Sequence, residues 1–246
     1  MKKSVLALLA LIAILLVILY LKMNGTIPAI SPKTAPYSSE DIEALLLKGA
    51  ETIESQDSFS YEYDNSFVVS KHSYKGNKYR LDVLSTKDKE NNAFTYAISD
   101  LDGYKQYCVN EPTKTILVLK SFPSSRGGHQ HSFVSTVEYN NKPNTACKVK
   151  YTYIKDETLE GKDCILIKKE RIYRDDDGFY TRHSDREEDN LVYWIEKSTG
   201  FELGETSLQA FKENATPLIF IRNISFEPIP DSAFELPTGY KTIEEK

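Results

Sequence analysis

The 246-residue sequence predicts an α+β fold, an antiparallel meander with one amphipathic helix ahead of it. Three patterns point there. Apolar and polar residues alternate in short runs, as in Phe59-Ser60-Tyr61-Glu62-Tyr63, the period of a strand with one buried face. Turn residues separate the runs: Lys75-Gly76-Asn77, Asp100-Leu101-Asp102-Gly103 and Glu160-Gly161. Ile42, Leu45, Leu46, Ala50 and Ile53 recur instead at helical spacing. A long meander with a helix over one face is an α+β layer or an open barrel.

In chain order, Lys2 and Lys3 precede an unbroken apolar run from Val5 to Leu21. As a helix, residues 4–21 would be about 27 Å long, near the roughly 30 Å of a bilayer's hydrocarbon core. The run ends Ile18-Leu19-Tyr20-Leu21-Lys22 with no small-residue cleavage site, and the first cysteine is Cys108, far from any lipoprotein signal. The expectation is an uncleaved signal-anchor transmembrane helix over residues 1–22, with Lys2 and Lys3 on the cytoplasmic side. The protein would then sit in the cell membrane as a single-pass protein, its C-terminal domain extracytoplasmic. Residues 23–38 carry Pro28, Pro32 and Pro36 and read as an extended linker. At roughly 3.1 Å per residue it would reach up to about 50 Å. Residues 39–246 show no internal repeat and no change of composition, so they read as one domain.

That domain opens on a helix over about 39–55, with Ser39 as its N-cap and Glu40 and Asp41 in the first turn. Gly49 weakens it without ending it. Strands follow at Phe59–Tyr63, Tyr79–Val83 and Phe94–Ile98, then at Tyr104–Val109, Thr113–Leu119, Cys147–Tyr153 and Cys164–Ile167. Tyr193–Leu203 is a hairpin turning at Ser198-Thr199-Gly200. A last strand, Leu218–Phe226, is ended by Pro228, Pro230 and Pro237, which cannot donate to a ladder. Phe234 and Leu236 stand where they would plug an open end of the sheet. Residues 170–190 are nearly all polar and read as a solvated hairpin; residues 121–145 fit no clear pattern.

Composition narrows the function classes. The chain is 40% apolar, enough for a core, and sixteen of its aromatics are tyrosine, a bias of half-exposed sheet. Net charge is −5; without residues 1–22 there are 28 basic against 36 acidic residues, a balance of −8 that argues against nucleic acid as a partner. Three cysteines are too few for a disulfide scaffold.

No constellation in the sequence calls for catalysis. His129 and His131 share a face of extended chain and need a third ligand such as His72, His183 or a carboxylate, but their loop is rich in Gly and Ser and reads as solvated. Asp175-Asp176-Asp177-Gly178 has contiguous rather than alternating acids, so it reads as a charged turn and not a calcium loop. His183-Ser184-Asp185 has triad residue types, yet sequence neighbours on a strand point to opposite faces. The G-x-S-x-G, Walker and H-E-x-x-H motifs are absent. A non-enzymatic protein without metal or cofactor is expected. Cys147 and Cys164 fall on paired strands, but a hairpin turning at 157–160 sets Cys164 opposite about residue 152, which favours two buried thiols over a disulfide. If the sheet curves and the helix crosses its mouth, Leu45 and Leu46 would line a cavity with Tyr61, Tyr63, Tyr96, Tyr151, Tyr153 and Tyr193. Otherwise these side chains simply fill a core.

Two C-terminal motifs carry a family resemblance. Trp194, Glu196, Thr199, Gly200 and Leu203 match a hairpin of the pattern aromatic-x-D/E-x-x-T-G-x-P/x-L; Asp231, Phe234, Leu236, Pro237, Gly239 and Tyr240 match a closing D-x-x-F-x-L-P-x-G-Y. With the helix and the Gly103-Tyr104…Pro112 strand pair, residues 39–242 resemble the LolA/LolB-like superfamily of lipoprotein carriers and RseB/MucB-type sensor domains. The resemblance implies a strongly curved antiparallel sheet, an unclosed half-barrel with the helix packed in its concave face, around a hydrophobic cavity for acyl chains. It implies a membrane-anchored module that binds a lipid, an acyl chain or a lipoprotein. The alternative is a regulatory module of the cell envelope that binds a protein, such as a germination protein that activates a cell-wall amidase.

Overall fold

The computed structural model describes residues 35–65, 67–86, 94–100, 105–120, 146–175, 179–183, 190–214 and 216–244. Tyr37–Lys246 forms one compact unit. It starts with helix α1, Ser39–Glu54. The cap is Ser38, one residue before the expected Ser39, because Asp41 then falls at the third helical position and closes a capping box. Ser38 Oγ accepts from the Asp41 amide at 3.1 Å, and Asp41 Oδ2 accepts from the Ser38 amide at 2.9 Å. The apolar stripe lands as the spacing predicts, with Ile42, Leu46, Ala50 and Ile53 buried.

The strands are β1 (Ser58–Asp64), β2 (Val68–Lys75), β3 (Lys78–Thr86), β4 (Tyr96–Asp100), β5 (Lys105–Asn110) and β6 (Thr115–Lys120). They continue with β7 (Cys147–Leu159), β8 (Lys162–Arg174), β9 (Tyr180–His183), β10 (Asn190–Glu196) and β11 (Glu202–Ser207). A short helix, α2 (Leu208–Asn214), leads to β12 (Ile219–Ser225) and, after a 3-10 turn at Asp231–Phe234, to β13 (Lys241–Glu244). All thirteen strands form one sheet in the order β13-β6-β5-β4-β3-β2-β1-β12-β11-β10-β8-β7, with β9 added beside β8. Among the described residues the two ends of that path, β13 and β7, are not joined.

This corrects the expected fold class. The sheet is open and mixed, not an antiparallel half-barrel, because β13 runs parallel to β6, from Lys241 opposite Thr115 to Glu244 opposite Val118. Parallel neighbours need a crossover rather than a hairpin. Residues 226–240 supply one, and Pro228, Pro230 and Pro237, which lack the amide a ladder needs, keep this strap out of the sheet's own pairing. The expectation of a single-pass membrane protein is corrected as well. No helix among the described residues is long and apolar enough to cross a membrane. Residues 1–22, on which the anchor was read, lie outside the described residues, as does most of the linker.

Directly opposed residues share a face of a sheet, so the registers sort the side chains into two faces. On the first are Phe59, Tyr61 and Tyr63 of β1, opposed by Tyr74, His72 and Ser70 of β2. This face continues through Ile221 of β12 and Glu205 of β11 to Tyr193 of β10 and Ile167 of β8. Helix α1 packs at that far end: Ile42 and Leu46 are buried with Val149, Tyr151, Ile165, Ile167, Tyr193 and Ile195. The β10–β11 turn is pressed against the helix. A Cβ on Gly200 would stand 2.0 Å from the Leu45 carbonyl oxygen and 3.1 Å from the Gly49 amide nitrogen, and Gly200 has φ +79°, so only glycine fits there. Lys48 Nζ also donates to the Ser198 carbonyl at 2.8 Å.

The second face differs along the sheet. At β8 and β10, Trp194, Val192, Leu166 and Cys164 are buried in the same cluster as Phe59, Tyr61, Tyr74 and Tyr79 and Ile53 of α1, so the two faces meet in one core there. Phe211 of α2 meets the Trp194 ring edge-on at 6.0 Å. At β4–β6, Tyr96, Ile98, Val109 and Ile116 form a separate cluster with Tyr107 and Tyr240. The strap crosses this face, with Phe234 buried under it and Leu236 left 38% exposed.

The cysteines are free. The β7–β8 turn falls at Glu160 and Gly161, both at positive φ, as a two-residue hairpin requires. Cys164 therefore opposes Glu157 and Cys147 opposes Tyr173, ten rungs apart or on the order of 30 Å. No disulfide can join them.

Candidate functional site

The first face carries the site. Of the eight residues expected to line a cavity, seven lie on this side of the sheet. Leu46, Tyr151 and Tyr193 are buried in the cluster under α1, with Leu45 and Tyr153 half-buried at its margin. Tyr61 and Tyr63 lie farther along the same face, in the cluster that includes Phe59, Tyr74 and Tyr79. Tyr96 is the exception. It pairs with Asp82 and Val109, which places it on the second face, where the Arg80 guanidinium sits 4.1 Å from its ring centre. Phe94-Tyr96-Ile98 alternates as clearly as the other strands do, but alternation does not say which face of a two-sided sheet a strand presents.

The rings on the first face are ordered by stacking. Phe59 stacks on Tyr74 at 4.7 Å between centres and 4° between planes, and Tyr61 stacks on His72 at 4.9 Å and 10°. His72 is fixed at both ring nitrogens, with Ser70 Oγ 2.9 Å from Nε2 and Tyr79 Oη 3.0 Å from Nδ1. Burial holds the Tyr61 and Tyr193 phenols well above the ordinary tyrosine range, with Tyr74 adding to the first and Glu205 to the second. Tyr63 is raised too, again by burial first. All three are neutral hydroxyls through the physiological range, so this interior offers rings and uncharged donors.

Two features of this face escape the sequence. Glu202 is only 2% exposed. In Phe201-Glu202-Leu203 it looks like the outward residue of an alternating strand, but a bulge between Trp194 and Ile195 sets Glu202 opposite Ile195 and turns it inward. The second feature is a row of apolar residues in register across the opposite end of the sheet. His72 opposes Leu81, then Leu81–Ala97, Ala97–Cys108, Cys108–Leu117 and Leu117–Ile243 follow strand by strand. Ala97 and Cys108 are buried, while Leu117 and Ile243 are 38% and 44% exposed. Burial also raises the Cys108 thiol. From β3 to β13 the row spans about 19 Å at the usual strand spacing. Each residue's inward parity can be read locally, but their meeting in one row depends on registers, and on β13, which no local pattern announces. Strand β2 is likewise missing from the sequence reading, since Val68–Lys75 mixes Ser, Lys and His among its apolar residues.

The other expected features fall away from this site. Among the described residues no group of three or more His, Cys, Asp or Glu side chains is placed to hold a metal ion. His129 and His131 lie outside the described residues, as do Asp176, Asp177, Ser184 and Asp185. The polar 170–190 stretch does form a hairpin where it is described: β9 pairs with β8, with His183 opposite Ile172.

No family model matches the chain, and no curated protein matches it. Among solved structures it is similar to an uncharacterized conserved protein from Thermus thermophilus, at 9% identity and a TM-score of 0.44 over 81% of this chain and 97% of that one. It is similar to a DUF1329 family protein from Desulfovibrio piger, at 12% identity and a TM-score of 0.29 over 80% of this chain and 97% of that one. It is also similar to a putative outer membrane lipoprotein-sorting protein domain from Vibrio parahaemolyticus, at 10% identity and a TM-score of 0.28 over 80% of this chain and 97% of that one. Likenesses this loose leave both family and activity open.

Proposed function

We propose that this chain is a non-enzymatic binding module that holds one hydrophobic chain, the acyl group of a lipid or lipoprotein, along the first face of its sheet. The observation that carries the reading is the register-aligned row Leu81–Ala97–Cys108–Leu117–Ile243. Helix α1 packs Ile42 and Leu46 on β7, β8 and β10 and Ile53 in the ring cluster of β1–β3, and neither cluster includes a residue of β4–β6. An apolar track about 19 Å long, continuous with the stacked rings of Tyr61 and His72, suits a long acyl chain better than a compact ligand. Each buried methylene contributes about 0.8 kcal/mol, so six or seven seated on the row supply roughly 5 kcal/mol of apolar burial. The neutral Tyr61 and Tyr63 hydroxyls near the inner end of the row offer hydrogen bonds to a polar head.

The test is organic extraction and mass spectrometry of the purified full chain, with titration of a fluorescent fatty acid. A lipid should be recovered, and the probe should bind at one site and be displaced by that lipid. Leu117→Asp should weaken probe binding about tenfold or more with an unchanged melting curve, since Leu117 is 38% exposed. Neither lipid nor probe binding, or a Leu117→Asp variant that binds as well as the wild type, overturns the proposal.

A further inference from the structure

The opposite face carries a second, polar site. Strands β1, β2, β3 and β12 and the strap surround a cleft of about 530 Å³, within the roughly 300–1,000 Å³ usual for small-molecule sites. Its floor is a row of hydroxyls, because Ser60 opposes both Ser225 and Ser73. Ser60 and Ser73 are 7% and 5% exposed. Neither hydroxyl makes a hydrogen bond among the described residues, and neither is sealed from solvent, so both stand open to the cleft. In the adjacent row Glu62 opposes Lys71. Opposite charges placed across a ladder usually pair, yet among the described residues neither of these makes an ion pair or a side-chain hydrogen bond. Arg80 and Asp82, beyond them, are closed on each other through contacts of 2.6–3.0 Å.

The strap shows what this face recognises. Lys75 Nζ donates to the Ile229 carbonyl at 2.9 Å, and Arg80 to the Ala233 carbonyl at 2.7 Å. Cationic side chains of β2 and β3 thus hold carbonyl oxygens of the strap, one before its 3-10 turn and one within it. Lys71 stands four residues before Lys75 on the same strand and face, and its ammonium is unused. We infer that this cleft binds a small zwitterion of the amino-acid or short-peptide class, its carboxylate on Lys71 and the hydroxyls of Ser60 and Ser73, its ammonium on Glu62. The ligand closes the two charges that the ladder leaves apart and accepts hydrogen bonds from the two open hydroxyls.

Calorimetric titration of the full chain with the dipeptide Ala-Ala tests this. The comparisons are its N-acetylated form, its C-terminal amide and a neutral disaccharide. Ala-Ala should bind, with each blocked form at least about tenfold weaker and the sugar silent. Lys71→Met should abolish binding and Glu62→Gln should weaken it, both with unchanged melting curves. Lys71→Met should leave the fluorescent fatty-acid titration untouched, so a failure on one face is separable from a failure on the other. No heat from Ala-Ala into the millimolar range, equal affinity for the blocked forms, preference for the sugar, or wild-type binding by Lys71→Met each overturn the inference.

Discussion

The two faces of β1, β2 and β3 are made by alternate residues of the same three strands, and they are held in opposite ways. On the first, Phe59, Tyr61, Tyr74 and Tyr79 are buried and stacked ring on ring. On the second, Ser60, Glu62, Lys71, Ser73, Arg80 and Asp82 form a polar floor, and the strap is held over it by charges: Lys75 and Lys78 reach Asp231 at 3.2 and 3.6 Å. Apolar burial is non-directional and grows with area, so the first face closes wherever rings can overlap. Charge–carbonyl contacts are directional and few, so the second face closes only along the strap and leaves a cleft beside it. A single strand can therefore supply a core and a site at once.

The largest difference between the faces should appear on removing a ring. Phe59 is 1% exposed and stacked on Tyr74. Phe59→Ala should cost about 3–5 kcal/mol of unfolding free energy in urea titration, by lost burial and a cavity that cannot collapse between β1 and β2. Ser60→Ala, one residue on and on the other face, should stay within about 1 kcal/mol. Equal losses at the two positions would mean that the faces are not divided as described.

That alternation is also what made the first face readable without a structure. Phe59, Tyr61, Tyr63, Tyr79 and Leu81 announce inward positions by period alone, and the stripe of α1 is equally plain. What period cannot convey is register. The placement of Tyr96 on the second face, the inward turn of Glu202 at a bulge, and the row from Leu81 to Ile243 all depend on which residue of a neighbouring strand stands opposite. Those choices are made by packing across the whole sheet. Strand β13 is the extreme case: Lys241–Glu244 is exposed throughout and has no apolar period, so only its parallel pairing with β6 makes it a strand. The cleft was illegible for the same reason, since Ser60, Ser73 and Ser225 read separately as solvent-facing residues.

A smaller effect should follow from Arg80, the side chain that joins the second face to the strap. It makes a bidentate contact with Asp82, lies over the Tyr96 ring and donates to the Ala233 carbonyl. Its side chain is 23% exposed, so water moderates these contacts. Arg80→Ala should cost about 1–2 kcal/mol in the same titration, and Arg80→Lys should recover only part of it, because an ammonium cannot reproduce the planar fork. Full recovery by lysine would reduce the role of Arg80 to its charge.

The smallest effect belongs to Asp231, and pH isolates it. A hydrogen bond from Lys75, then the charges of Lys75 and Lys78, hold its carboxyl below the ordinary aspartate value. A carboxyl whose folded pKa is depressed contributes stability in full above its unfolded value, near pH 3.9, and loses it as pH falls through the folded value. The difference in melting temperature between wild type and Asp231→Asn should therefore be constant at pH 6–7, shrink below about pH 4, and vanish at lower pH. Because Asp231 is exposed, added salt at neutral pH should shrink the same difference. The first-face counterpart has no such lever: Phe59→Ala should cost the same with or without salt. A melting difference for Asp231→Asn that ignores both pH and salt would show that the strap is held by its carbonyl contacts to Lys75 and Arg80 alone, leaving Asp231 no part in closing the second face.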